Sequence, residues 1–160
     1  MPQEPVVKIL KKKSYLAMIR NAATGESRMF RNVYALVDGT EMDITGDGRW
    51  SCAFFVSVVL YANKLIGDMH TGVAGLEKDL EASGWQQVQD LKEGAVIVWE
   101  PQKGNFVPGI GEMHSHIGFF IGNDRAASNS SDETGVPKEH AAHNGTRKIE
   151  RIWWHPDLEG

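Results

Sequence analysis

The sequence predicts an α+β domain, with helices gathered first and an antiparallel β-sheet after them. Three observations predict it. Residues 51–66 are nearly all apolar through Leu60 and too many for one typical strand, so they form a helix buried on most faces. From Trp85 onward the texture changes to short β-like runs divided by turn-rich stretches. Helices and strands that are segregated along the chain, rather than alternating, belong to the α+β class.

Taken in order, residues 6–22 place Val6, Ile9, Leu10, Lys13, Leu16, Ala17 and Ile19 or Arg20 at helical spacing, an amphipathic helix that "ATGES" ends. "RMFRNVYALVDGTEMDIT" carries β-branched and aromatic residues on both sides of Asp38-Gly39, a dipeptide favoured in hairpin turns, and reads as two short strands. Ser51 is a natural N-cap for the apolar helix and Gly67 a natural stop. Thr71 can cap a further helix, "GVAGLEKDLEAS", whose Val73, Leu76 and Leu80 share a face before Gly84 ends it. The strand candidates are "WQQVQ", "AVIVWE", "HIGFFIG", "RAASNS" and "KIERIWW". Between them "PQKGNFVPGIGEMHS" and "SDETGVPKEHAAHNGT" read as long loops, which in a compact domain are more often functional than idle.

The chain of 160 residues fits a single domain over 1–160, with the helix and strands of 1–46 as an extension of its core. A formal charge of -4 argues against nucleic acid as a partner, and the short run Lys11-Lys12-Lys13 reads as a solvated helix face. A single cysteine cannot form an internal disulfide. The first twenty residues have the wrong charge order for a signal peptide, and no window reaches the length of about 20 apolar residues that crossing a bilayer requires. The expectation is a cytoplasmic protein without a membrane span, unless it is exported independently of a signal. No cofactor is expected, and the oligomeric state is open.

The chemistry centres on that one cysteine. Cys52 falls in the first turn of the apolar helix, where unpaired N–H groups and the helix dipole favour a thiolate and lower the thiol pKa. A thiol nucleophile needs a base, and His114 and His116, two residues apart, project from one face of a strand. A third polar group must hold the imidazole in one tautomer. The strand returning through Asn123-Asp124 offers Asn129, whose carbonyl can accept the imidazole N–H, with Ser128 as the rival that the strand register decides. Another reading uses four imidazoles, His114, His116, His140 and His143, as zinc ligands of a metal-dependent hydrolase.

Cys52 at a helix mouth, then "GAVIVWE", then "HIGFFIGNDRAASNS", resembles the NlpC-type peptidases and related CHAP amidases of the papain-like superfamily. In those proteins a cysteine opens a central helix, and a histidine begins a strand of the form His-hydrophobic-Gly-aromatic-aromatic-hydrophobic-Gly. Cys52 and His116 match that pattern over roughly residues 47–129. The resemblance implies a papain-like fold and hydrolysis of an amide or isopeptide bond, in peptidoglycan stem peptides or a related peptide. Cys52 would be the nucleophile and His116 the base, Asn129 or Ser128 would orient the ring, and the Cys52 N–H would help bind the oxyanion. Trp50, Ser51 and His114 would line the substrate cleft. The pattern departs from the family at Ser51 and Ala53, where an aspartate and a serine commonly stand, and at Ala95, which replaces the aspartate of the Gly-Asp strand opening. An inactive binding module on the same fold and a thiol-dependent acyl transferase are further readings of the same residues.

Overall fold

The computed structural model describes residues 1–101, 115–130, 134–143, 145 and 147–159. Helix α1 (Lys11–Ala22) leads to a hairpin of β1 (Tyr34–Val37) and β2 (Thr40–Asp43), followed by α2 (Cys52–Ala62) and α3 (Val73–Ala82). The remaining strands are β3 (Gln86–Val88), β4 (Val96–Trp99), β5 (His116–Gly122), β6 (Arg125–Asn129), β7 (Pro137–Ala141) and β8 (Ile149–Trp154), with a final 3-10 turn at Pro156–Leu158. All six join one sheet in the order β3-β8-β4-β5-β6-β7, antiparallel at every pairing. Helices packed on an antiparallel sheet make the chain α+β, as its composition of segments predicts.

The apolar helix forms, but shorter than expected. Three valines and two phenylalanines give α2 modest intrinsic propensity, so its stability comes from burial. Cys52, Ala53, Phe55, Val56, Ser57, Val59 and Leu60 are all enclosed, against β5 and β6 among other elements. The helix ends at Asn63, and Lys64 turns the chain at a φ of 56°, before Gly67 is reached. Four rings tie the helices to the sheet edge-on in a row: Phe30, Phe55, Phe119 and Tyr15, with centroids 5.0, 5.5 and 5.7 Å apart.

Other boundaries shift for identifiable reasons. Helix α1 begins at Lys11, and Val6, Ile9 and Leu10 are exposed. Its buried face is Tyr15 and Ile19, four residues apart, with the Tyr15 hydroxyl donating to Gly94 O at 2.8 Å. Helix α3 is capped by Gly72 rather than Thr71, but buries the expected Leu76 and Leu80. The β1–β2 turn holds Asp38 and Gly39 at φ 49° and 81°, the left-handed pair that a two-residue hairpin needs.

Strand β7 corrects the sequence reading, which takes its residues as loop. Pro137 and three polar residues give "PKEHA" no strand signature. It is stable as the sheet's edge, where a proline at the first position removes no needed donor. The other stretch expected as a long loop lies largely outside the described residues.

Candidate active site

The expected positions converge around the start of β5. Cys52 opens α2, 4% exposed, and the N–H groups of Ile117, Ala53 and Cys52 itself lie against its sulfur. Ile117 is the residue after His116, so the helix mouth and the histidine strand meet. Ser51 stands at the expected N-cap position and its carbonyl accepts from Phe55 N at 2.9 Å, but it makes no side-chain capping bond, and its hydroxyl is buried without a hydrogen-bond partner among the described residues. Ser51, expected to line the substrate cleft, is fully enclosed beside the nearly enclosed Cys52.

The thiol's electrostatics reverse the expectation. Burial pushes Cys52 above its ordinary value, and the N–H groups and the Arg147 guanidinium pull it down only in part. A helix-end field acts on a charge, but the charge must first leave water, and here the second effect is larger. Arg147, half-buried, is itself lowered by burial and raised by Cys52 and Glu100.

On the sheet, register decides which residue meets His116. Phe120 pairs with Ala126, and steps of two along each strand put His116 and Ser128 on that same face. Asn129 falls on the other. The His116 Nε2 is 2.8 Å from Ser128 Oγ, so the ring meets the rival and not the favoured Asn129. The Asn129 amide donates instead to Gly48 O at 2.7 Å and Ser130 O at 3.2 Å, fastening the loop ahead of Cys52 to the end of β6. Gly48 adopts a φ of 92°, and a Cβ there would come within 2.3 Å of Gly135 O, so two backbones touch beside that bond.

Gly118 makes the His116–Ser128 approach possible. A Cβ on it would lie 2.6 Å from Ala127 O and 2.8 Å from Ser128 Cβ. Beyond Ser128 the polar contacts continue, with Ser128 Oγ 2.6 Å from His140 Nε2 and His140 Nδ1 2.9 Å from Ala141 O. The buried Trp99 ring lies beside both imidazoles, 5.3 Å from His116 and 5.6 Å from His140 between centroids. Its indole N–H donates to Ala142 O at 3.0 Å.

Of the remaining expected positions, Trp50, two residues before Cys52 in the chain, is half-buried and its ring packs over Gly46. His114 lies outside the described residues. His116 and His140 do meet, but through a serine hydroxyl, and His143 Nδ1 turns to Asp124 Oδ1 at 2.6 Å. Among the described residues no group of three or more His, Cys, Asp or Glu is placed to hold a metal ion. Sequence reasoning misses the roles of Trp99, His140 and Arg147. A signal for His140 exists in hindsight, because Lys138 and His140 alternate on one face of a strand pairing with Ser128 and Ala126.

No family model and no curated protein matches this sequence. No helix among the described residues is long and apolar enough to cross a membrane.

Proposed function

We propose that the protein is a cysteine hydrolase on a papain-like domain of NlpC or CHAP type, cleaving an amide or isopeptide bond. One observation carries this reading: the sulfur of Cys52 lies against the N–H of the residue next to His116, whose ring is held by Ser128. His116 takes the thiol proton as the sulfur attacks the substrate carbonyl, and the Cys52 N–H helps bind the resulting oxyanion. Collapse breaks the C–N bond, the amine leaves with the proton from His116, and a thioester remains on Cys52. Water, deprotonated by His116, releases the acid and restores the thiol. Ser128 takes the orienting role in place of Asn129. A thiol held protonated by burial supports general-base transfer at the moment of attack over a standing ion pair. The resemblance points to the peptide stems of peptidoglycan as the substrate class.

The test is iodoacetamide labelling of Cys52, the only cysteine, against pH, in the parent and in His116→Ala. Labelling near neutral pH that is faster in the parent than in His116→Ala, because the imidazole takes the proton as the sulfur attacks the reagent, supports the reading. One common curve for both proteins overturns it. A further assay, release of amine from a peptidoglycan stem peptide, is expected in the parent and absent in Cys52→Ala.

A further inference from the structure

We propose that His140, acting through Ser128, is a positioning residue that sets the tautomer of His116. The inference rests on the cysteine-hydrolase reading for its consequence, but on hydrogen-bond geometry for its content. Ala141 O can only accept, so the His140 nitrogen 2.9 Å from it, Nδ1, carries a proton. In a neutral ring the other nitrogen, Nε2, is then an acceptor. Ser128 lies 2.6 Å from that acceptor and donates its only proton to it. The Ser128 oxygen is left to accept from His116 Nε2, 2.8 Å away, which must carry its proton there. His116 therefore holds its lone pair at Nδ1, the nitrogen that can take a proton from a thiol. One carbonyl on the edge strand thus fixes the direction of three successive hydrogen bonds.

Neutrality of His140 is what the arrangement needs, and its surroundings favour it. Burial is the main cause of its lowered pKa, the Ala141 carbonyl opposes that, and the Arg125 cation lowers it further. Ser128 reaches it from β6, the uncharged Trp99 ring from β4, and His116 is the titratable group across Ser128. Protonation of His140 reverses the chain: Nε2 becomes a donor, and the Ser128 hydroxyl turns its proton toward His116. The His116 lone pair must then face Ser128, and Nδ1 is protonated and useless as a base.

The experiment is two-bond ¹H–¹⁵N correlation of the histidine rings, above the titration of both imidazoles, in the Cys52→Ala protein. The expected result is His140 as the Nδ1–H tautomer and His116 as the Nε2–H tautomer. Loss of one hydrogen bond in an added His140→Ala substitution lowers the His116 tautomer ratio by about tenfold, whereas His140→Gln, whose carbonyl can accept from Ser128, preserves it. In the protein with Cys52 intact, His140→Gln also removes the step by which iodoacetamide labelling falls as His140 protonates. His140 found as Nε2–H, His116 found as Nδ1–H, or a tautomer ratio unmoved by His140→Ala overturns the proposal. The first two need no substitution of His140, so they hold whether or not His140→Ala folds. Labelling that ignores His116→Ala sinks the cysteine reading while leaving the tautomers as measured. His116-dependent labelling with the wrong tautomers sinks this proposal alone.

Discussion

Two buried serines border the site, and they live under opposite conditions. Ser51, at the mouth of α2, has a hydroxyl without a hydrogen-bond partner among the described residues, beside a thiol that burial holds protonated. Ser128, on β6, bridges two imidazole nitrogens at 2.8 and 2.6 Å. The helix mouth is therefore a desolvated place that resists charge, whereas the polar row on the sheet has each described hydrogen bond in place. On the proposed mechanism, reactivity is lent to Cys52 from the sheet side rather than stored in the thiol.

Gly118→Ala attacks the matched side where it is tightest. A Cβ within 2.6 Å of Ala127 O has no flexible neighbour to displace, so β5 and β6 must part, at a cost of about 3 kcal/mol. Urea unfolding measures it, and an unchanged midpoint would mean that the two strands are not in the close contact described. Ser128→Ala removes the bridge without changing the packing of Cβ. It leaves two ring nitrogens without their partner and is expected to cost about 2 kcal/mol, read in the same way.

The thiol side is probed by pH. A group whose folded pKa is raised contributes stability that is complete below its unfolded value and is lost as pH rises toward the folded one. Stability is therefore expected to fall above pH 9.0, the ordinary value of the thiol, and Cys52→Ala should flatten the slope between 9.0 and 10.0. Above 10.0 the buried Tyr15 phenol, raised by desolvation, adds its own loss in both proteins. Equal slopes below 10.0 would show that the helix mouth does not resist charge. The smallest effect belongs to Ser51→Ala, which deletes a hydroxyl that gains nothing from burial. A change within about 1 kcal/mol, neutral or stabilising, is expected by thermal unfolding, in contrast to the loss at Ser128.

Much of this was legible in the sequence, for local reasons. The hairpin at Asp38-Gly39 and the return through Asn123-Asp124 are written in residues that tolerate left-handed backbone, and both turns are present. The histidine strand is a short apolar run bounded by turn residues, and it forms as expected. What was not legible depended on pairing and burial. Ser128 and Asn129 are adjacent, so a one-residue difference in register exchanges them, and only the Phe120–Ala126 pairing settles it. The direction of the Cys52 shift depends on how completely α2 is covered, which no window of eleven residues reveals. Strand β7 is hidden by polar residues because an edge strand needs little apolar character, so His140 could be named as a ligand candidate but not placed beside Ser128.

The contact between Gly48 and Gly135, fastened by the Asn129 amide, has a consequence in time. The bond from Asn129 to Gly48 closes 81 residues of chain. Contacts of such separation form late, because the intervening loop must be ordered before they return any free energy. While the polypeptide is still emerging, the first half can neither hold α2 nor seat its mouth, since β5 and β6 have not yet been made. The sulfur therefore acquires its native surroundings, and with them its resistance to ionisation, only when the sheet is complete.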